Sequence, residues 1–309
     1  MTRFRNSVRI LRFSLVLAAG VACGGHAAAP VAAPGAPAPS SERAGGNPRA
    51  PSVACGAEPV GLEAILHPGA VIVFGEIHGT AETPAFVANV ACHAARPGGE
   101  VAVGLEVPRD LQPQVDRFVE SSGRPDDAAA LVRNDHWKSQ DGNASKALLG
   151  VIESLRALRR SGRHVRVFLF DMAQTDSGDR DQNMAANIVA QADHNADGVT
   201  LVLTGNLHAR TDTERWMSWH IARRHPGVVT LNVRHAGGSA YLCLMGRGCG
   251  AVTDLPGEDL GKAAFIEVFA APDDKGYGGR AYLGGPITAS PPVIHDGPVK
   301  VMSVSRPDD

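Results

Sequence analysis

Two apolar runs in this chain end in the same way. Val71-Ile72-Val73-Phe74 leads into Gly75-Glu76-Ile77-His78, and Leu201-Val202-Leu203-Thr204 leads into Gly205-Asn206-Leu207-His208. A short apolar run closed by glycine reads as a strand buried on both faces, as in sheets covered by helices on both sides. Glycine lets the backbone turn sharply at the strand end. A histidine three residues on is then carried to the carboxyl edge of the sheet, where open α/β sheets bind ligands. Two such elements in one sheet bring two imidazoles to one crevice.

The rest of the chain supplies the sheet. Strands are expected at 70–74, 100–105, 165–170, 199–203, 228–233, 241–245 and 263–268. Helices are expected at 84–95, through Leu111, Val115, Phe118 and Val119, and at 146–160, 182–191 and 213–224. The 146–160 segment is the clearest, with Leu148, Ile152, Leu155 and Leu158 at spacings of three and four. The βαβα alternation predicts one α/β domain, a mixed and largely parallel sheet with helices on both faces. That domain is expected over 57–271, followed by a Gly- and Pro-rich, partly irregular C-terminal extension at 272–309.

The amino terminus reads as an address. Arg3, Arg5, Arg9 and Arg12 precede an apolar segment at 13–22 that is too short to span a bilayer as a mature helix. Residues 1–22 are therefore expected to be a signal peptide. Cys23 follows small residues and is the expected lipidation site; ordinary cleavage near 27–29 is the alternative. Residues 23–56 are rich in Ala, Pro and Gly and bury too little apolar surface to offset chain entropy, so they read as a tether. The protein is thus expected in a bacterial cell envelope, lipid-anchored or periplasmic, with the membrane as a partner. In that oxidising compartment Cys55–Cys92 would pin the tether's end to a helix, and Cys243–Cys249 would close a hairpin tip. Four buried free thiols are the alternative. Formal net charge is -2, without a basic run in the mature part, which argues against nucleic acid as a partner.

Two further strands end in acid, at Gly104-Leu105-Glu106 and Phe170-Asp171. The carboxyl edge would then collect Glu76, His78, Glu106, Asp171 and His208. Two imidazoles among carboxylates suit a divalent metal, or an acid–base pair without one. Arg180, opening the next helix, can bind an oxyanion or orient a carboxylate. Asn206 and Asp171 are further substrate-binding candidates at this edge. Asp141-Gly142-Asn143-Ala144-Ser145 reads as a turn and cap before the long helix, and His136-Trp137 as part of a loop able to line a cleft.

At these positions the sequence resembles a known superfamily. Gly-Glu-Ile-His-Gly-x-x-Glu at 75–82, Gly-Leu-Glu at 104–106 and Gly-Asn-Leu-His at 205–208 are similar to the group joining erythromycin esterases, ChaN-type haem-binding lipoproteins, TraB proteins and TIKI proteases. The likeness spans about 58–235, and Gln114-Val115-Asp116-Arg117-Phe118 resembles a stretch that follows Gly-Leu-Glu in ChaN-type members. It implies a hydrolase of ester or peptide bonds, acting on a small molecule or peptide, with Glu76, His78, Glu106 and His208 catalytic; Arg180, from its own place at the helix start, is expected to join them by steadying the developing negative charge. A divalent metal would sit on His78, His208 and Glu106, and Glu82 would face substrate. The alternative it implies is capture of haem or a metal-bearing ligand. Two departures stand out: Glu76 and His78 are one residue closer than in the esterase branch, and the three tyrosines, all at or after 241, offer no evident haem ligand. If a histidine activates water at this edge, His78→Ala abolishes turnover while the far-ultraviolet circular dichroism stays native; full activity in that variant rejects the assignment.

Overall fold

The computed structural model describes residues 53–96 and 98–304. The expected signal peptide, Cys23 and all but the last residues of the tether lie outside the described residues. Strand β1 (Val71–Glu76) is buried throughout and is followed by helix α1 (Glu82–Ala94) and strand β2 (Glu100–Pro108). Helices α2 (Gln112–Glu120), α3 (Pro125–Leu131) and α4 (Lys146–Arg160) come next. Strand β3 (His164–Asp171), helix α5 (Arg180–His194), strand β4 (Val199–Gly205), helix α6 (Met217–Ala222) and strand β5 (Val229–Arg234) complete the α/β part.

A seven-stranded sheet forms in the order β3-β2-β4-β1-β5, extended by two later strands, β9 (Gly279–Tyr282) and β8 (Phe265–Val268). All neighbours pair in parallel except β8 with β9. A small second sheet joins the hairpin of β6 (Gly238–Leu244) and β7 (Gly248–Leu255) to β10 (Val301–Ser303). The mixed, largely parallel α/β architecture agrees with the sequence reading.

Alternation along the strands assigns the two faces. Ile72 and Phe74 of β1, with Val101, Val103 and Leu105 of β2, pack against α1, α2 and α4 through Val87, Val90, Val115, Leu148, Ile152 and Leu155. Val71, Val73 and Ala102 point the other way, onto Met184, Ile188, Met217 and Ile221 of α5 and α6. Fully burying each such aliphatic side chain stabilises the fold by about 1.5–3 kcal/mol. Helix α4 begins where Ser145 Oγ accepts from the Leu148 amide, the expected cap.

Three differences have physical causes. The helix expected at 213–224 shortens to α6, because residues 210–216 are drawn into other contacts. Arg210 pairs with Asp212, Thr211 Oγ1 donates to the Gly276 carbonyl, and Trp216 N bonds Thr213 O in a turn. Strand β7 lacks a sustained apolar run and forms as the hairpin partner of β6. Strand β9 lies within the Gly- and Pro-rich stretch after 271, yet it sits between β5 and β8 in the main sheet.

Both expected disulfides are present. Cys55–Cys92 closes a separation of 37 residues, and Cys243 faces Cys249 across the β6–β7 ladder. Arg163 reinforces the first bridge, donating to the carbonyls of Val53 and Cys92. The two bridges fit an oxidising, extracytoplasmic setting. Among the described residues no helix is long and apolar enough to cross a membrane. Replacing both Cys55 and Cys92 by alanine should lower unfolding free energy by about 3–4 kcal/mol, the loop-closure expectation for this length, measured by urea titration without reductant.

Candidate active site

The carboxyl ends of β3, β2, β4 and β1 lie side by side, and each delivers polar groups to one cluster. Glu106, at the end of β2, is buried at 3% exposure and occupies its middle. One carboxylate oxygen accepts from Thr204 Oγ1 at 2.6 Å and from the Gly205 amide at 2.8 Å. The other accepts from Arg180 Nη2 at 2.7 Å. His78 Nε2 lies 3.5 Å from the first oxygen and His208 Nε2 3.8 Å from the second.

Each imidazole is oriented by its own carboxylate. His78 Nδ1 is 3.0 Å from Glu76 Oε1. His208 Nδ1 is 2.8 Å from Asp181 Oδ1, an oxygen that also accepts from the Met217 amide at 2.6 Å. Arg180 spans the space between the acids. Nε and Nη2 donate to Asp171 at 2.8 and 2.9 Å, and Nη1 lies 2.9 Å from His208 Nε2. A guanidinium can only donate, so His208 Nε2 is the acceptor and Nδ1 carries the proton toward Asp181.

Gly205 keeps the two rings in reach of each other. A Cβ there would stand 2.9 Å from His78 Nε2 and 3.5 Å from His208 Cδ2. The bare backbone therefore leaves the gap in which the imidazoles meet, and its amide is free to bond Glu106.

Burial and charge pull the titrating groups apart. Burial favours neutral His78, but Glu106 and then Glu76 overcome this and hold its pKa well above 6.5. Burial raises Glu76 above its usual value, offset in part by His78, and its Oε2 has no partner. Burial would raise Glu106 too, yet His78 and Arg180 hold it well below 4.5.

The loop before α4 walls one side. Asn143 Nδ2 donates to the Glu106 carbonyl, and Gly142 (φ 89°) fits where a Cβ would stand 3.1 Å from the His78 carbonyl carbon. His136, in the same loop, is kept from protonating mainly by burial, and its Nε2 has no partner.

No protein-family model and no curated sequence matches the chain. Among solved structures, a histidine-to-asparagine mutant of the erythromycin esterase EreC, in its open conformation, aligns over 72% of this chain and 92% of its own, with TM-score 0.55 and 12% identity. The fold is similar to that of this esterase. The type III effector HopBA1 aligns over 78% of this chain and all of its own (TM-score 0.45, 12% identity). A Bacillus cereus protein aligns over 75% and 92% (TM-score 0.48, 11% identity).

Of the residues singled out from sequence, Glu76, His78, Glu106, Asp171, Arg180 and His208 come together. Glu82 does not: its Oε2 accepts from the Thr288 amide and ties the C-terminal segment to α1. Asn206 lines a neighbouring cavity, and its backbone amide bonds the Glu76 carbonyl. Asp181 and Thr204 were not anticipated. Their signal was adjacency, since Asp181 follows Arg180 and Thr204 precedes Gly205.

As placed, the expected metal ligands His78, His208 and Glu106 do not fit a divalent ion. The Arg180 guanidinium covers both His208 Nε2 and one Glu106 oxygen, and no group of three His, Cys, Asp or Glu among the described residues is arranged to hold a metal. Glu106 binds its neighbours as an anion, so its contribution to stability is complete above an unfolded pKa near 4.5 and is lost as pH falls through the depressed folded value. Glu106→Gln should therefore lower unfolding free energy at pH 7 by about 3–5 kcal/mol, as expected when one partner of a buried ionic cluster is removed. In urea titrations the gap from wild type should narrow below pH 4.5.

Proposed function

We propose that this chain is an exported hydrolase that cleaves an ester, or the related peptide bond, by acid–base catalysis between two histidines. The observation that carries the reading is the pair of carboxylate-oriented imidazoles facing across Gly205, with Arg180 bonded to His208 and to the Glu106 carboxylate beside them. The EreC likeness supports the fold on which such chemistry is built and leaves the chemistry to the residues.

His208 is the general base. Asp181 holds Nδ1–H, so Nε2, which accepts from Arg180 in the resting cluster, carries the lone pair that takes a proton from water. Once protonated, His208 no longer accepts from Arg180, and Asp181 balances the imidazolium. Nη1 is then released to the carbonyl oxygen, which gains negative charge as water adds. His78, kept protonated by Glu106 and Glu76, gives its Nε2 proton to the leaving oxygen while Nδ1–H stays on Glu76. The products are a carboxylic acid and an alcohol, and the proton on His208 returns through solvent to His78. No step passes through a metal.

Haem capture has less support, because Tyr241, Tyr277 and Tyr282 are all buried. Their hydroxyls bond Gln140 Oε1, the Asn206 carbonyl and the Leu260 amide. The envelope location, with a lipid on Cys23, belongs to the same proposal and rests on the N-terminal sequence together with the two disulfides.

With 4-nitrophenyl acetate, kcat/KM should follow a bell-shaped pH profile that is unchanged by chelator. His208→Gln should lower kcat by about 10²–10⁴-fold, the usual scale for losing a positioned base. Removing the Glu76 charge (Glu76→Gln) destabilises the His78 imidazolium, so the alkaline limb should move to lower pH. An unaltered profile in both variants overturns the mechanism.

A further inference from the structure

A cavity of about 510 Å³ opens beside the catalytic cluster, at the carboxyl ends of β1, β4 and β5. Ile77 lines it, between Glu76 and His78, and so do Asn206 and Leu207, immediately before His208. Consecutive Cα atoms stand about 3.8 Å apart, so the cavity begins one residue from each imidazole. It is large enough for the acyl part of a small ester and lies on the side of the sheet edge away from Asp171 and Arg180.

The residues that line it are more cationic than anionic, with Asp212, Asp273 and Asp274 standing behind Arg210 and Tyr277. Arg210, Arg234 and Lys275 line it against a single carboxylate, Glu258. Asp212 engages Arg210 through two hydrogen bonds, and Arg234 reaches Glu258 only at 3.4 Å. Lys275, in the turn leading into β9, has no acidic partner for its ammonium among the described residues. Burial and then Arg234 lower the pKa of His235, whose Nδ1 accepts from the Gly237 amide. Asn206 and Asn232 also line the cavity, and their side-chain amides make no hydrogen bond within the described chain. An unpaired ammonium, a loosely held guanidinium and two idle amides are donors in search of an acceptor. Ile77, Leu207 and Val233 supply apolar wall between them and the histidines.

We infer that this cavity is the acyl subsite and selects substrates whose acyl chain ends in an oxyanion, a carboxylate or a phosphate, which Lys275 and Arg234 bind. The inference rests on the hydrolase reading for its place in catalysis, while anion binding itself can be measured without turnover. Charged hydrogen bonds from Lys and Arg are the strong ones for such a group, and at a partly exposed site they weaken with salt.

Two measurements separate the claims. Glutarate and inorganic phosphate are titrated calorimetrically into the wild-type protein and into Lys275→Glu, which alters an exposed side chain and so leaves the fold intact. At least one anion should bind the wild type, with affinity falling tenfold or more in the variant and falling with added salt. The better ligand tells carboxylate from phosphate. In parallel, kcat/KM is compared for the 4-nitrophenyl esters of butyrate and of glutarate. The glutarate ester should be preferred, and Lys275→Glu should cut that preference at least tenfold. If neither anion binds, or the variant binds both as well as wild type does, the subsite is overturned. If anions bind as described but neither ester is hydrolysed, the hydrolase reading falls and the anion site stands.

Discussion

A carboxylate buried at the end of β2 is the constraint around which the edge of this sheet is built. Glu106 lies out of water, where an isolated anion is costly and is kept only by partners that replace its hydration. Its oxygens meet the Thr204 hydroxyl, the Gly205 amide and Arg180, with both histidines close by. The partners come from three separate stretches of sequence: His78 after β1, Arg180 at the start of α5, and Thr204, Gly205 and His208 at the end of β4. The cluster is therefore a consequence of strand order, and it in turn fixes the ends of β2 and β4 relative to the start of α5.

That order explains the arrangement of chemistry. Neighbouring strands stand about 4.8 Å apart, so groups at the ends of β3, β2, β4 and β1 fall into a row. Asp171 holds Arg180, Arg180 bridges Glu106 and His208, Glu106 binds the backbone of β4, and His78 closes the row from β1 with Glu76 behind it. Register completes the alignment, since Glu76 pairs with Gly205 directly across the β1–β4 ladder. A one-residue slip would turn every alternate side chain to the opposite face and dissolve the row.

Much of this was legible in the sequence, for definite reasons. Elements with strong periodicity were readable: 146–160 coincides with α4, and the apolar runs of β1 to β5 fall within three residues of their observed limits. Residues just after those runs could be assigned to one edge because a buried parallel strand has only one carboxyl end. What could not be read depends on partners distant along the chain. Strand β9 has little apolar character of its own and gains its place from β5 and β8. Glu82, beside the first His-Gly pair, looked like a site residue but is claimed by the Thr288 amide some two hundred residues on. Asp181 carries no pattern of its own, and only the approach of His208 gives it a role.

The same row indicates why arginine stands where a metal seemed plausible. Two imidazoles and a carboxylate are acceptors that a divalent cation or a guanidinium can satisfy. A metal would draw its ligands to fixed distances on every side, whereas a planar guanidinium presents donors in several directions at once. Arg180 uses that property in full, reaching Asp171, Glu106 and His208 from one group fixed to the first turn of α5. It also couples them: protonating His208 removes one acceptor and frees a donor beside the forming charge. A metal bound through His208 Nε2 would occupy the lone pair that the base needs. In the proposed mechanism the guanidinium yields that lone pair at the moment of proton transfer, so one residue would serve both the resting cluster and the charged intermediate.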